Sequence, residues 1–326
     1  MNKTILITGA NAGIGKDTAR QLALKNSTEK IYLACRNPTK AAAVERELRT
    51  VTGRAIFEIV IMDVSDLDSV RRAVASLREP VDALIMNAGG MGGKHPEQIT
   101  KDGVTNITAA NLLGHVVLVD ELLPAGKLKK VALFASTEAA RGIVKMGMER
   151  PKLKNSLVEE FAAVFDGSAF GDQFDPMQVY GVVKYGGTMW MSSMTRKHPE
   201  VKFISISPGG TRGTEGFNDL PFLQGLFFKY IGMPLLMPLL GLSHSLETGA
   251  KHFVDAIGDA TLKSGGFYAS RANVLTGAIV DQSTIFQDLT NRQFQDNANE
   301  AIHRFIRWVV SEGSDIYWQF DSKRIT

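Results

Sequence analysis

Cysteine is nearly absent from this 326-residue chain; Cys35 is the only one. A single thiol excludes an intrachain disulfide and argues against a metal cluster, so no bound metal is expected. It points to reducing, cytoplasmic surroundings, with Cys35 serving as a small apolar filler at the end of a strand. Charge of one sign is missing too: 37 Lys and Arg face 34 Asp and Glu, a formal net charge of +3. No basic run is interleaved with aromatics, which removes nucleic acid from the expected partners. The N-terminus enters a β-branched stretch at once, without the charged region, short apolar core and small-residue cleavage site of a secretory signal. Linkers, internal repeats and low-complexity segments are also lacking, so residues 1–326 read as one domain with a large core.

One long hydrophobic run does occur, Leu220–Leu242. It has the length of a bilayer span, but Lys229, Pro234 and Pro238 interrupt it. A lid over an apolar substrate, or a patch making peripheral membrane contact, fits it better.

Apolar β-branched runs alternate with helical periodicity along most of the chain. Strands are expected at Thr4–Thr8, Lys30–Arg36, Ala55–Met62, Ala83–Asn87, Val131–Ser136, Lys202–Ser207 and near Gly266–Tyr268. Helices are expected at Gly13–Asn26, Pro38–Thr52, Leu67–Leu77, Lys101–Leu123, Val179–Lys197 and Ser245–Ala256. This alternation predicts an α/β fold of the Rossmann type, a doubly wound parallel sheet with helices on both faces. Almost wholly apolar strands agree with a sheet covered on both sides. Two connections are too long for such a fold, an insertion over 137–177 and a substrate lid over 208–244. Both follow the carboxyl end of a strand, where ligands bind in these sheets. A C-terminal extension, 273–326, carries an amphipathic helix at Asn291–Ser311, with Phe294, Ala298, Ile302, Phe305 and Val309 at helical spacing.

The first strand runs into the loop Thr8-Gly-Ala-Asn-Ala-Gly-Ile-Gly, and a helix follows. Strand, Gly-rich turn and helix N-terminus together cradle the pyrophosphate of a dinucleotide. Gly9, Asn11, Gly13, Ile14 and Gly15 are therefore candidate cofactor contacts. Tyr180 and Lys184 stand four apart, on one helix face. A tyrosine hydroxyl exchanges a proton with a carbonyl or alcohol oxygen, but its ordinary pKa is about 10. Bringing it to neutrality takes roughly 4 kcal/mol of phenolate stabilisation, which a nearby ammonium can supply. No other tyrosine in the chain has a lysine at this spacing.

These elements occur in one order: the Gly-rich loop, Asn87-Ala88-Gly89, Asn111, Ser136, Tyr180-x-x-x-Lys184 and Pro208-Gly209. The arrangement resembles the short-chain dehydrogenase/reductase family over roughly residues 3–270. Within it, Thr8–Lys16, Leu33-Ala-Cys-Arg-Asn37 and Asn111-Leu-Leu-Gly-His115 are similar to the retinol-dehydrogenase-like and protochlorophyllide-reductase-like branch. The resemblance implies hydride transfer with Tyr180 as acid/base. It makes Lys184 the residue that holds the cofactor ribose and lowers the tyrosine pKa. Ser136 then hydrogen-bonds the substrate oxygen, with Thr137 as its stand-in if the register moves by one, and Asn111 anchors a water-linked proton relay. It further implies cofactor contacts at Asn87, Ala88 and Gly89, an adenine contact at Asp63 and Val64, and nicotinamide contacts at Pro208, Gly209 and Thr211 or Thr214. Members of the family often dimerise through the helices that bear Asn111 and Tyr180.

Cofactor choice follows from charge. An acidic residue ending the second strand accepts from the ribose 2′-OH and selects NAD; here that residue is Arg36, which suits the 2′-phosphate of NADP(H). Lys16 offers a second positive charge. The expected activity is an NADP(H)-dependent oxidoreductase acting on a small apolar carbonyl or alcohol. Its alternatives are reduction of a conjugated C=C bond and a cofactor-binding regulatory or scaffold protein without turnover.

Overall fold

The computed structural model describes residues 2–143, 149–151, 153–212 and 241–306. Its centre is an eight-stranded sheet in the order β3-β2-β1-β4-β5-β6-β7-β8. The strands are β1 (Thr4–Thr8), β2 (Lys30–Cys35), β3 (Phe57–Ile61), β4 (Val81–Met86), β5 (Leu128–Ala135), β6 (Lys202–Ile206), β7 (Phe267–Ala269) and β8 (Val280–Asp281). All neighbours pair in parallel except β7 and β8, which are antiparallel. The order reverses at β1 and β4, which are adjacent in space but distant in sequence. That reversal opens a crevice at the carboxyl ends of the strands.

The helices are α1 (Gly13–Ala23), α2 (Pro38–Thr52), α3 (Leu67–Ser76), α4 (Asn106–Thr108), α5 (Gly114–Leu122), α6 (Val158–Phe165), α7 (Pro176–Lys197), α8 (Leu246–Ala256) and α9 (Arg292–His303). Local chemistry sets several ends. Asn37 caps α2 by accepting from the Lys40 N–H at 2.9 Å, Pro38 opens it, and Gly53 closes it in the left-handed conformation. Asp175 caps α7 in the same way, followed by Pro176. Alternate strand residues feed two cores. Leu6, Leu84, Ala132 and Phe134 pack with α3, α5 and α7, whereas Ile5, Ile7, Ile85 and Leu133 pack with α1, α2 and α8. Cys35 lies in the second core, and burial pushes its thiol up to about 11.

Several expectations need correction. The helix expected at Lys101–Leu123 starts only at Asn106, where the Thr105 side chain caps it, and its second turn is a π-helical segment, Ala109–Leu113. The first helix stops at Ala23 rather than Asn26. The 137–177 insertion is not a plain loop: it holds a 3-10 helix at Glu138–Arg141, the helix α6 and a second 3-10 turn at Gly171–Gln173. Strand β8 was not anticipated. The C-terminal helix is described to His303 and packs on α7 and α6. Val309, Thr214 and most of the expected lid, 213–240, lie outside the described residues. Among the described residues no helix is long and apolar enough to cross a membrane.

Candidate active site

The Gly-rich loop is held against β4 by short bonds. The Asn87 side-chain amide donates to Thr8 O at 3.0 Å and Gly9 O at 3.3 Å, and the Ala88 N–H donates to Thr8 Oγ1 at 2.9 Å. A Cβ on Gly15 would stand 2.4 Å from Gly9 O and 2.6 Å from Asn87 Nδ2, so the helix approaches the loop only because this residue has no side chain. Ala12, the N-cap of α1, has no side-chain acceptor, and the first N–H groups of the helix face the loop without a cap. Asn11 and Ile14 are half-buried in this turn, and Ile14 rests on the core. Arg36 is exposed immediately after β2. Lys16 is less free than expected, since its ammonium pairs with Glu47 at 2.9 Å.

After β3, Asp63 builds a turn by accepting from the Ser65 N–H at 2.9 Å and Ser65 Oγ at 2.6 Å, and Val64 packs on the core. After β4, the chain passes Gly89 and Gly90 and meets Asn111. The Asn111 amide donates to Gly90 O at 2.6 Å and to Ile107 O at 2.8 Å, while its Oδ1 accepts from the Gly90 N–H at 3.1 Å. A Cβ on Gly89 would lie 2.4 Å from Asn111 Oδ1, so a side chain there would displace this contact. Asn111 occupies the π-helical turn, and its side-chain amide donates to Ile107 O in the turn before it.

Lys184 points into the same corner. Its Nζ donates to Ala135 O at 2.8 Å, sits 4.7 Å from the Phe134 ring centre, and lies 5.7 Å from that of Tyr180. Burial holds the amine down at about 7. Tyr180, one turn earlier on α7, packs against the small cluster of Ala139, Ile143 and Leu275, beside Leu242. Burial first, and the charge of Glu138 second, push its hydroxyl up to about 12. Burial therefore acts on both groups against their charged forms. His115, inside α5, reaches Thr8 Oγ1 at 3.2 Å, and burial keeps it neutral, down at about 3.

The remaining residues are engaged within the protein. Thr188 Oγ1 donates to Lys184 O at 2.9 Å, so the Ser136 hydroxyl, also 2.9 Å away, donates to Thr188. Thr137 accepts from the Ala139 N–H at 3.2 Å and caps the 3-10 helix. Thr211 Oγ1 lies within 3.2 Å of Pro208 O, Gly209 O and His244 Nε2. The structure thus gathers Gly9–Gly15, Asn87–Gly89, Asn111, Ser136, Tyr180, Lys184 and Pro208–Thr211 along the carboxyl edge of β1, β4, β5 and β6. Glu138 was missed from the sequence. Its signal was a glutamate placed three residues before Arg141 in an otherwise small, apolar stretch after a strand.

Comparison with known proteins bears on the family and the fold. The family profile described as short chain dehydrogenase matches residues 3–143. A retinol dehydrogenase from Homo sapiens is 38% identical over 133 residues, spanning 40% of this chain and 40% of its own length. Protochlorophyllide reductase B from Oryza sativa subsp. japonica is 30% identical over 296 residues, 83% of this chain and 69% of its own. Salutaridine reductase from Papaver somniferum shares the fold with a TM-score of 0.60, at 18% identity, over 82% of this chain and all of that one. The chain spans about 40% of the length of that retinol dehydrogenase and 69% of that reductase, and the second match places it in the short-chain dehydrogenase/reductase family.

Proposed function

We propose that the chain transfers a hydride between NADP(H) and a small apolar carbonyl or alcohol, with Tyr180 exchanging the proton. The observation that carries this reading is the placement of Tyr180 and Lys184 on consecutive turns of α7, with the Lys184 amine at the end of β5, beside the Gly89–Asn111 corner and 5.7 Å from the Tyr180 ring centre. The residues present fit a dinucleotide: the uncapped α1 N-terminus and the close Gly9–Gly15 approach suit a pyrophosphate, and the exposed Arg36 suits a 2′-phosphate. When bound, the nicotinamide supplies or receives the hydride. Tyr180 Oη gives its proton to a carbonyl oxygen in reduction and takes one from an alcohol in oxidation. Lys184 would hold the ribose, Ser136 would turn its hydroxyl from Thr188 to the substrate oxygen, and Asn111 would anchor the proton path. The backbone around Pro208–Thr211 would receive the nicotinamide, and Asp63 and Val64 would border the adenine.

Apolar substrates are favoured by the wall around Tyr180, made of Ala139, Ile143, Leu242 and Leu275. The apolar run 220–242 begins soon after Pro208-Gly209 and ends at Leu242, itself part of that wall. Reduction of a conjugated C=C bond is a second reading, favoured by the long match to a protochlorophyllide reductase.

The test is a paired substitution. Tyr180→Phe should abolish NADPH-dependent reduction of apolar aldehydes while the NADPH Kd stays within about threefold. A charged hydrogen bond contributes about 1.5–3 kcal/mol, so NADPH should bind at least about tenfold more tightly than NADH, and Arg36→Asp should erase the difference. Substantial turnover by Tyr180→Phe removes the tyrosine from the reaction. Equal Kd values in the unmutated protein remove Arg36 from cofactor choice.

A further inference from the structure

Beside Tyr180 lies a buried charged network that the reading above does not use. Glu138 is 2% exposed and Arg141 4%. Both belong to the 3-10 helix that packs on the start of α7, so closely that a Cβ on Gly181 would stand 3.0 Å from Ala139 O. Glu138 Oε2 accepts from Ser207 Oγ at 2.5 Å, and Ser207 Oγ in turn accepts from the Gly209 N–H at 3.0 Å. Glu138 Oε1 accepts from the Ser270 N–H at 3.1 Å and lies 2.9 Å from Ser270 Oγ. Arg141 donates to Ser270 O at 3.1 Å, Arg271 O at 2.9 Å and Val274 O at 3.3 Å.

We propose that Glu138 is a positioning residue for the Tyr180 reaction: its buried carboxylate clamps the Ser207–Gly209 turn and the Ser270–Val274 segment onto the 3-10 helix that packs against the start of α7, the helix that presents Tyr180. The geometry makes one side chain common to three segments. The turn after β6 is held through Ser207, and the segment after β7 through Ser270. That segment leads directly into Leu275, which forms part of the wall against Tyr180. A buried carboxylate with several donors is strongly directional, and losing it leaves those donors unmatched.

The same charge bears on proton transfer. Negative charge near Tyr180 favours the protonated hydroxyl, and burial acts in the same direction. Tyr180 therefore stays protonated to higher pH than an ordinary tyrosine, and the deprotonated hydroxyl that alcohol oxidation needs is reached only at higher pH. The other charged and titratable groups of the surroundings are Arg141 and Arg150, Lys184 on α7, and His244, His252 and Asp255 on the side of α8. All of them stay in place in the variants below.

The inference rests on Tyr180 as the proton-exchanging group, and two readouts on the full chain separate it from that reading. The first is hydrogen exchange in Glu138→Gln and Ser207→Ala. Exchange across 207–212 should speed up about fivefold or more in both, and across 270–275 in Glu138→Gln alone, with β1 unchanged. The second is the pH dependence of turnover with NADP(H). Glu138→Gln should lower kcat about tenfold with KM for NADPH within about threefold, and move the rising limb of alcohol oxidation to lower pH by about half a unit or more. Ser207→Ala should leave that limb in place. Wild-type exchange at 207–212 in Ser207→Ala, or at both segments in Glu138→Gln, overturns the clamp. An unshifted limb in a folded Glu138→Gln overturns the role in proton transfer. If the unmutated protein turns over neither carbonyls nor alcohols, the Tyr180 reading fails while the exchange data still decide the clamp.

Discussion

Lys184 should cost this protein stability, and replacing it should show how much. The side chain is 2% exposed, its amine bonds Ala135 O at 2.8 Å, and burial lowers its pKa from 10.5 to about 7. The unfolded chain keeps the amine protonated up to about pH 10.5, whereas the folded chain releases the proton near pH 7. Between these values the unfolded state binds more protons, so folding stability rises with pH across that window. At 1.36 kcal/mol per pH unit, the full span corresponds to roughly 5 kcal/mol, with a slope no steeper than about 1.4 kcal/mol per unit. Below pH 7 the folded protein carries the whole penalty of a buried ammonium.

Lys184→Met keeps the volume and removes the charge. It also removes the donor to Ala135 O, a loss of about 1–3 kcal/mol. The ligand-free variant should therefore be more stable than the unmutated protein by about 2–4 kcal/mol at pH 6.5, and the two should converge as the pH approaches 9.5. Urea unfolding of both proteins at several pH values measures this directly. Tyr180, held up at about 12, and His115, held down at about 3, do not change protonation between pH 6.5 and 9.5 in the folded state. The variant should be inactive, which makes this lysine a stability–function trade-off. A stability difference that stays constant from pH 6.5 to 9.5 would refute the reasoning, because it would mean that Lys184 is not desolvated in the folded chain.

Two further outcomes follow from packing. Gly15→Ala sets a methyl group 2.4 Å from Gly9 O, so the loop must shift at a cost of about 1–3 kcal/mol. The NADPH Kd measured by fluorescence should rise about tenfold, and an unchanged Kd would separate the loop from cofactor binding. Helix α9 covers the outer side of α7 through the Ser193–Asp296 bond at 2.6 Å and reaches α5 through His303 and Asp120 at 3.0 Å. Its Ala298, Ala301 and Ile302 are fully buried. Helix α9 thus lies over α7 and reaches α5, the helices on which a dimer contact was expected, so sedimentation should find a monomer, and a dimer at micromolar concentration would refute this.

Legibility in the sequence tracked the range of the interactions. β1 and α2 were read to the residue because a β-branched run, an Asn-Pro start and a Gly stop are local signals. The Tyr180–Lys184 pair was legible because a helix places residues four apart on one face. The π-turn at Asn111 was not, since it depends on an amide shared between Ile107, in its own helix, and Gly90, in a loop 21 residues away. Helix α6 was hidden by the length of its insertion, although Phe161, Val164 and Phe165 repeat at helical spacing. Glu138 was the least legible of all. Its meaning lies in Ser207 and Ser270, 69 and 132 residues away, and a lone glutamate in a short apolar run reads equally well as a solvated loop residue. The chemistry of Tyr180 shows the same limit. Spacing placed a lysine beside it, but only packing reveals that both groups are desolvated, that the amine has its pKa lowered to about 7, and that the nearby charge is negative. The pattern names the candidate groups, whereas their protonation is a property of what the fold buries around them.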